Sequence, residues 1–141
     1  MVFKILEKYK NSGTVFISSE DNLRKQTAHI PDAPGVYLFF EENGAKNGSL
    51  KYIGASGSID QKGKFKDQLM RKRLNNKMNS KFSRAQFFKQ YFQQNKCDLI
   101  RIDWYVTYDE DNLDLPKYVE ALLFQKYYSL LGQLPEWNNN F

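Results

Sequence analysis

Apolar positions change their period several times along the chain, and each change marks an element. In residues 2–10, VFKILEKYK, apolar side chains stand at 2, 3, 5, 6 and 9, a helical spacing that Asn11, Ser12 and Gly13 bring to an end. Residues 14–18, TVFIS, read as a short strand. Residues 18–30 are expected to hold a short helix, with Ser18 or Ser19 as N-cap and acids in its first turn. Pro31 and Pro34 then favour an extended backbone. VYLFFEE, 36–42, and LKYIGAS, 50–56, are β-branched and aromatic and predict two strands. The NGAKNG between them, 43–48, carries two Asn-Gly pairs, a hairpin signal.

GSIDQKGKFK, 57–66, reads as a loop with two glycines and three lysines. Residues 67–79 place Met70, Leu74 and Met78 at i, i+4 and i+8, which predicts a helix with one apolar stripe. Residues 83–95 predict a second helix capped by Ser83, and its Phe87, Phe88, Tyr91 and Phe92 suit core packing or a dimer face. DLIRIDWYVTYD, 98–109, alternates and predicts a third strand. The longest helix is expected over 115–132, with Pro116 at its start and Gly132 and Pro135 at its end. A hairpin, two helices, a strand and a helix give an α+β class. The expected architecture is a small mixed, largely antiparallel three-stranded sheet flanked by helices, in one domain over 1–141. Residues 1–30 form an N-terminal extension and 31–138 the core.

Composition narrows the function classes. Hydrophobic residues make up 41% and aromatics 16% of the 141 residues, enough for one sizeable core. No apolar run is long enough to span a bilayer, and the N-terminus lacks the apolar stretch of a secretion signal, so a cytoplasmic protein is expected. Cys97 and His29 are the only residues of their types, which excludes an internal disulfide, a cysteine-based zinc site and a histidine cage. The net charge of +5 is unevenly placed: residues 61–101 hold 12 Lys/Arg against 2 Asp/Glu, whereas 102–141 hold 2 against 7. A basic middle is the footprint of a polyanion binder or, more plainly, a solvated lysine-rich face.

Four positions then suggest chemistry. Tyr37 and Tyr52 each stand beside a glycine in the hairpin, although strand tyrosines taken alone usually belong to a core. The hairpin register, which decides whether they share a face, is not fixed by sequence. Arg73 sits at the border of the Met70–Leu74 stripe, where its guanidinium suits a phosphate or a salt bridge to an acid at 109–114. Glu120 is set among Val119, Ala121, Leu122, Leu123 and Phe124. A carboxylate there needs a partner, such as Arg73, or a metal ion.

The order Pro-Gly-Val-Tyr (34–37), Tyr-Ile-Gly (52–54), Arg-Lys-Arg-Leu (71–74), Glu120 and Pro-Glu-Trp-Asn (135–138) resembles the GIY-YIG nuclease domain. The PGVY opening is most similar to the N-terminal incision domain of excision-repair nucleases, and the extended segment before Arg73 to some restriction-enzyme branches. The resemblance implies an endonuclease acting on DNA phosphodiester bonds with one Mg²⁺ or Mn²⁺. It implies Tyr37 and Tyr52 as the tyrosines that orient and deprotonate water, and Glu120 as metal ligand. It also implies Arg73 as the essential arginine, a role Arg71 could also fill, and Asn138 as the residue closing the site. Lys77 stands where members commonly have His or Tyr, and Ala55 where many have lysine. These departures keep a second reading open, a nucleic-acid-binding module of the same fold with weakened or lost turnover. Lys62, Lys64, Lys66, Arg71, Lys72, Lys81 and Arg84 are the expected nucleic-acid contacts. With no separate DNA-reading domain, specificity would come from a homodimer, a protein partner or substrate shape.

Overall fold

The computed structural model describes residues 2–43, 48–66 and 69–141. It is an α+β fold whose main sheet has four strands rather than the expected three. They are β1 (Ser12–Ile17), β2 (Gly35–Glu42), β3 (Ser49–Ser56) and β6 (Leu99–Val106), all antiparallel, in the order β1-β6-β2-β3. The extra strand is the TVFIS segment, begun two residues earlier. It pairs with the far side of β6, Val15 opposite Ile102, and so extends the sheet beyond the motif-bearing core.

Both sheet faces are covered. On one, Val36, Leu38, Phe40, Ile53 and Ala55 pack under Val119, Leu123, Phe124 and Tyr127 of the long helix α4 (Pro116–Leu131), with Phe3, Leu6 and Tyr9 beside them. α4 begins on Pro116, whose missing N–H falls where the helix has no acceptor, and ends on Gly132 at φ +68°. The opposite face carries Tyr37, Phe39, Ile100, Ile102 and Trp104 under Leu23, Ile30, Met70, Leu74 and Phe88. Burial on both faces explains why β2 is apolar throughout rather than alternating.

Several expected boundaries move. The N-terminal helix is a short 3₁₀ turn, Lys4–Lys8. Helix α1 is only Leu23–Gln26, and its N-cap is Asn22, whose side chain accepts from Lys25 N, not Ser18 or Ser19. Asp21 instead closes the preceding turn by accepting from Ser18 N at 2.7 Å. The lysine loop folds into a two-stranded ribbon, β4 (Ser58–Ile59) with β5 (Phe65–Lys66), and Asp60 accepts from Lys62 N and Lys64 N at its turn. Phe65 fixes the ribbon edge-on against Tyr108 at 4.9 Å.

The helix expected over 67–79 is reduced to α2 (Met70–Leu74). Met70 and Leu74 are fully buried as the stripe requires, but Asn75 ends the helix. Its amide donates to Arg71 O and to Thr27 Oγ1, each at 2.9 Å, competing with the next helical turn. Met78 still packs on the same core, from outside the helix. Helix α3 (Arg84–Gln94) follows, with Ser83 and Gln86 forming a capping box. Its aromatic face is core: Trp137 covers it, 5.0 Å from Phe87 and 4.9 Å from Tyr91 between ring centroids. Of the expected Asn-Gly turn and of helix 67–79, residues 44–47, 67 and 68 lie outside the described residues.

Candidate active site

The β2–β3 register sets Gly54 opposite Tyr37 and Tyr52 opposite Phe39. Residues directly opposite in an antiparallel pair share a face, so both tyrosines and Phe39 point to the same side. Their rings form one offset stack: Tyr37 to Phe39 is 5.6 Å, Phe39 to Tyr52 5.1 Å and Tyr37 to Tyr52 6.3 Å, all within 27° of parallel. A bulge between Phe39 and Phe40 then restores the alternation of the rest of the hairpin.

The glycines beside the tyrosines have a packing role. A Cβ on Gly54 would lie 2.4 Å from Cε2 of Tyr37, so the Tyr37 ring lies flat on a residue without a side chain. A Cβ on Gly35 would lie 2.2 Å from the Tyr105 carbonyl oxygen of the neighbouring strand. The expectation that these glycines leave room for a ligand is corrected: ring and backbone already occupy that space.

Arg84 stands over the stack. Grouped with the surface cations in the sequence reading, it is 1% exposed. Its guanidinium carbon is 5.1–5.3 Å from the centroids of Phe39, Tyr37 and Tyr52. Nη1 donates to the Tyr37 hydroxyl and to the Arg73 carbonyl, both at 3.3 Å, while Nε has no partner among the described residues. No carboxylate pairs with it there. Arg84 therefore joins α3, β2 and the end of α2 through one buried cation, held by aromatic faces and two neutral acceptors. Sequence reasoning missed it because a charged N1 residue behind a capping serine normally faces solvent.

Glu120 is 9% exposed on α4, and burial raises its pKa above the ordinary carboxylate value, with Lys117 and Arg73 opposing that shift. Its nearest cation, Lys117 Nζ, is 3.9 Å away, too long for a hydrogen bond. Burial also raises the Tyr52 phenol, reinforced by Tyr37 and Glu120; Arg84 and Arg73 pull it down. Tyr37, Tyr52, Arg73, Arg84 and Glu120 thus form one electrostatic cluster. The Arg73 side chain is itself exposed.

The cluster leaves out two expected members. Asn138 uses both side-chain groups on the β3 edge: Oδ1 accepts from Ile53 N and Nδ2 donates to Ile53 O, each at 3.0 Å. Trp137 N donates to Lys51 O at 2.9 Å, and Lys51 pairs with Glu136 at 2.5 Å, so the Pro-Glu-Trp-Asn segment is sewn along that edge. The Lys77 side chain is exposed, and its backbone forms an isolated bridge with Ser83. Lys62, Lys64, Lys66, Arg71, Lys72 and Lys81 are exposed, as phosphate contacts must be.

Among the described residues no group of three or more His, Cys, Asp or Glu could hold a metal ion together. A lone carboxylate without a hydrogen-bonded cation still fits a hydrated divalent ion, because Mg²⁺ keeps several waters and takes one or two carboxylates plus substrate oxygens. None of the helices in the described residues is long and apolar enough to cross a membrane. No protein-family model matches the chain, and neither a curated protein nor a solved structure matches it.

Proposed function

We propose that this chain is a metal-dependent endonuclease of the GIY-YIG type, hydrolysing phosphodiester bonds in DNA. The observation that carries the proposal is the stacked Tyr37–Tyr52 pair in the common field of Arg73, Arg84 and Glu120. The resemblance in motif order and this arrangement are independent of each other, since register and burial enter only with the fold.

In this reading Glu120 holds the divalent ion, which when bound supplies a Lewis acid at the phosphate. Arg73, exposed and in the field of Glu120, offsets charge on the phosphoryl oxygens. Tyr52 keeps its proton at neutral pH because burial raises its pKa, so it donates a hydrogen bond and orients water or a phosphoryl oxygen. Deprotonation of the water belongs elsewhere than to a buried phenol. Arg84 fixes the tyrosine stack, and Asn138 holds the strand that carries Tyr52.

One observation favours the second reading, a nucleic-acid-binding module without turnover. Tyr37 is 1% exposed and its hydroxyl already accepts from Arg84, which leaves it little access to a reacting water. Cleavage of supercoiled plasmid and branched DNA with Mg²⁺ or Mn²⁺, comparing wild type with Glu120→Gln, separates the two. Cutting by wild type, with binding but no cutting by the variant, supports the nuclease. Binding without cutting by both supports the module and overturns the nuclease.

A further inference from the structure

The cations of α2 face two ways. Arg71 and Arg73 are two residues apart, roughly 200° around a helix of 3.6 residues per turn. Arg73 belongs to the cluster with Glu120, while Arg71 and Lys72 turn towards α1. There they line an open cavity of about 570 Å³ with Arg24, Ala28, Asn75 and Asn76. No carboxylate lines it. Arg24 has no ionic partner among the described residues, and Lys72 Nζ reaches Asp32 only at 3.9 Å. The Arg71 guanidinium uses one donor on Ala28 O at 3.4 Å and keeps the rest of its fork. The walls are fixed by hydrogen bonds: Asn75 Nδ2 to Thr27 Oγ1 joins α2 to α1, and Thr27 is fully buried.

We infer that the cavity between α1 and α2 is a second phosphate site, in which Arg24, Arg71 and Lys72 hold a backbone phosphate of a nucleic-acid strand away from the tyrosine cluster. It rests on the proposed function only for the class of ligand. Two guanidinium groups and an ammonium on a braced wall suit phosphate better than isolated carboxylates, because the fork matches phosphate oxygens. Arg24 and Ala28 belong to the segment preceding the Pro-Gly-Val-Tyr motif. Half of the site is therefore built by residues outside the motif-bearing core. The same helix presents Arg73 to one phosphate and Arg71 to another, which fixes the direction in which a strand crosses it.

The test is equilibrium binding of a short fluorescent DNA duplex, and of the RNA duplex of the same sequence, to the full chain in metal-free buffer over a range of salt. The proteins are wild type, Arg24→Ala/Arg71→Ala, Glu120→Gln and, as a distant control, Lys126→Ala. For the double variant, with its melting temperature unchanged, the expected result is about tenfold weaker binding and a log–log salt slope lower by about 2, one for each lost phosphate contact. Lys126→Ala should bind as wild type. DNA alone, RNA alone or both may show the effect, and the pair of duplexes identifies the strand. The inference falls if the double variant keeps wild-type affinity and slope, if wild type binds neither duplex, or if polyglutamate of equal charge displaces the duplex equally well. Glu120→Gln separates the two proposals. Loss of binding in the double variant while wild type never cuts retains this site and discards the nuclease. Unchanged binding while wild type cuts does the reverse.

Discussion

The buried guanidinium of Arg84 donates to the hydroxyl of Tyr37 at 3.3 Å, and no acid in the described residues balances its charge. A buried cation held only by ring faces and neutral oxygens is a poor choice for stability, since apolar replacements of buried charges are often neutral or stabilising. Arg84→Met is therefore expected to melt within a few degrees of wild type while losing at least tenfold in cleavage or nucleic-acid binding. Because Arg84 pulls the Tyr52 phenol down, that phenol should titrate at higher pH in Arg84→Met, with Arg84→Lys in between. Ultraviolet difference titration and thermal melting check both parts. A large loss of stability together with an unmoved phenol titration would assign Arg84 to packing alone.

Gly54 offers a second test, because its missing side chain is filled by Tyr37. Gly54→Ala puts a methyl 2.4 Å from a ring that is itself buried against α3, so the strain has no outlet. The expected loss is about 2 kcal/mol, in the range of core overpacking. Gly63, at φ +78° with nothing within 4 Å, is the comparison: Gly63→Ala should lose about 1 kcal/mol from backbone strain alone. Urea unfolding of the two variants ranks them.

Glu120 predicts a pH dependence with a definite sign. Burial raises its folded pKa, so the folded state holds its proton more tightly than the unfolded chain does. The group subtracts nothing below the unfolded value of about 4.3 and progressively subtracts stability as pH rises through the folded value. Glu120→Gln should melt higher than wild type at pH 7, with the gain vanishing in acid. Added Mg²⁺ should raise the wild-type melting temperature and leave the variant unmoved, since a ligand that binds only the folded state stabilises it. Equal shifts in both proteins would remove Glu120 as the metal ligand.

Asn138 is predicted to act through structure. Asn138→Ala removes two hydrogen bonds to the backbone of Ile53 and should lose about 1–2 kcal/mol. Trp137, next to it, packs against Phe87 and Tyr91, so its fluorescence should shift towards that of solvated indole in the variant. If stability and fluorescence stay as in wild type while activity disappears, Asn138 contacts substrate instead.

The elements were largely legible from the hydrophobic pattern because each carries its own signal: Pro116 and Gly132 bound α4, and Ser83 with Gln86 starts α3. α2 was not, because the Met70–Leu74–Met78 stripe is real but Asn75 offers the backbone a better acceptor pattern than another helical turn. The shared face of the tyrosines follows from register, which sequence does not fix. Arg84 was invisible for a different reason. Its burial depends on where α3 crosses the sheet, and no local pattern marks an arginine that pairs with rings rather than acids. Asn138 was found by resemblance, yet its hydrogen bonds are long-range and only the fold reveals that they stitch a strand.

The seam between residues 135–138 and β3 also bears on how the chain is made. Ile53 and Asn138 are 85 residues apart, so on the ribosome the hairpin with both tyrosines emerges long before the segment that seals its outer edge. Until then the unpaired N–H and C=O groups of β3 are open to any passing strand, the usual route to misassembly. The site would thus be completed last, by the final stretch to be translated, and a nascent chain would hold the tyrosine pair without its finished border.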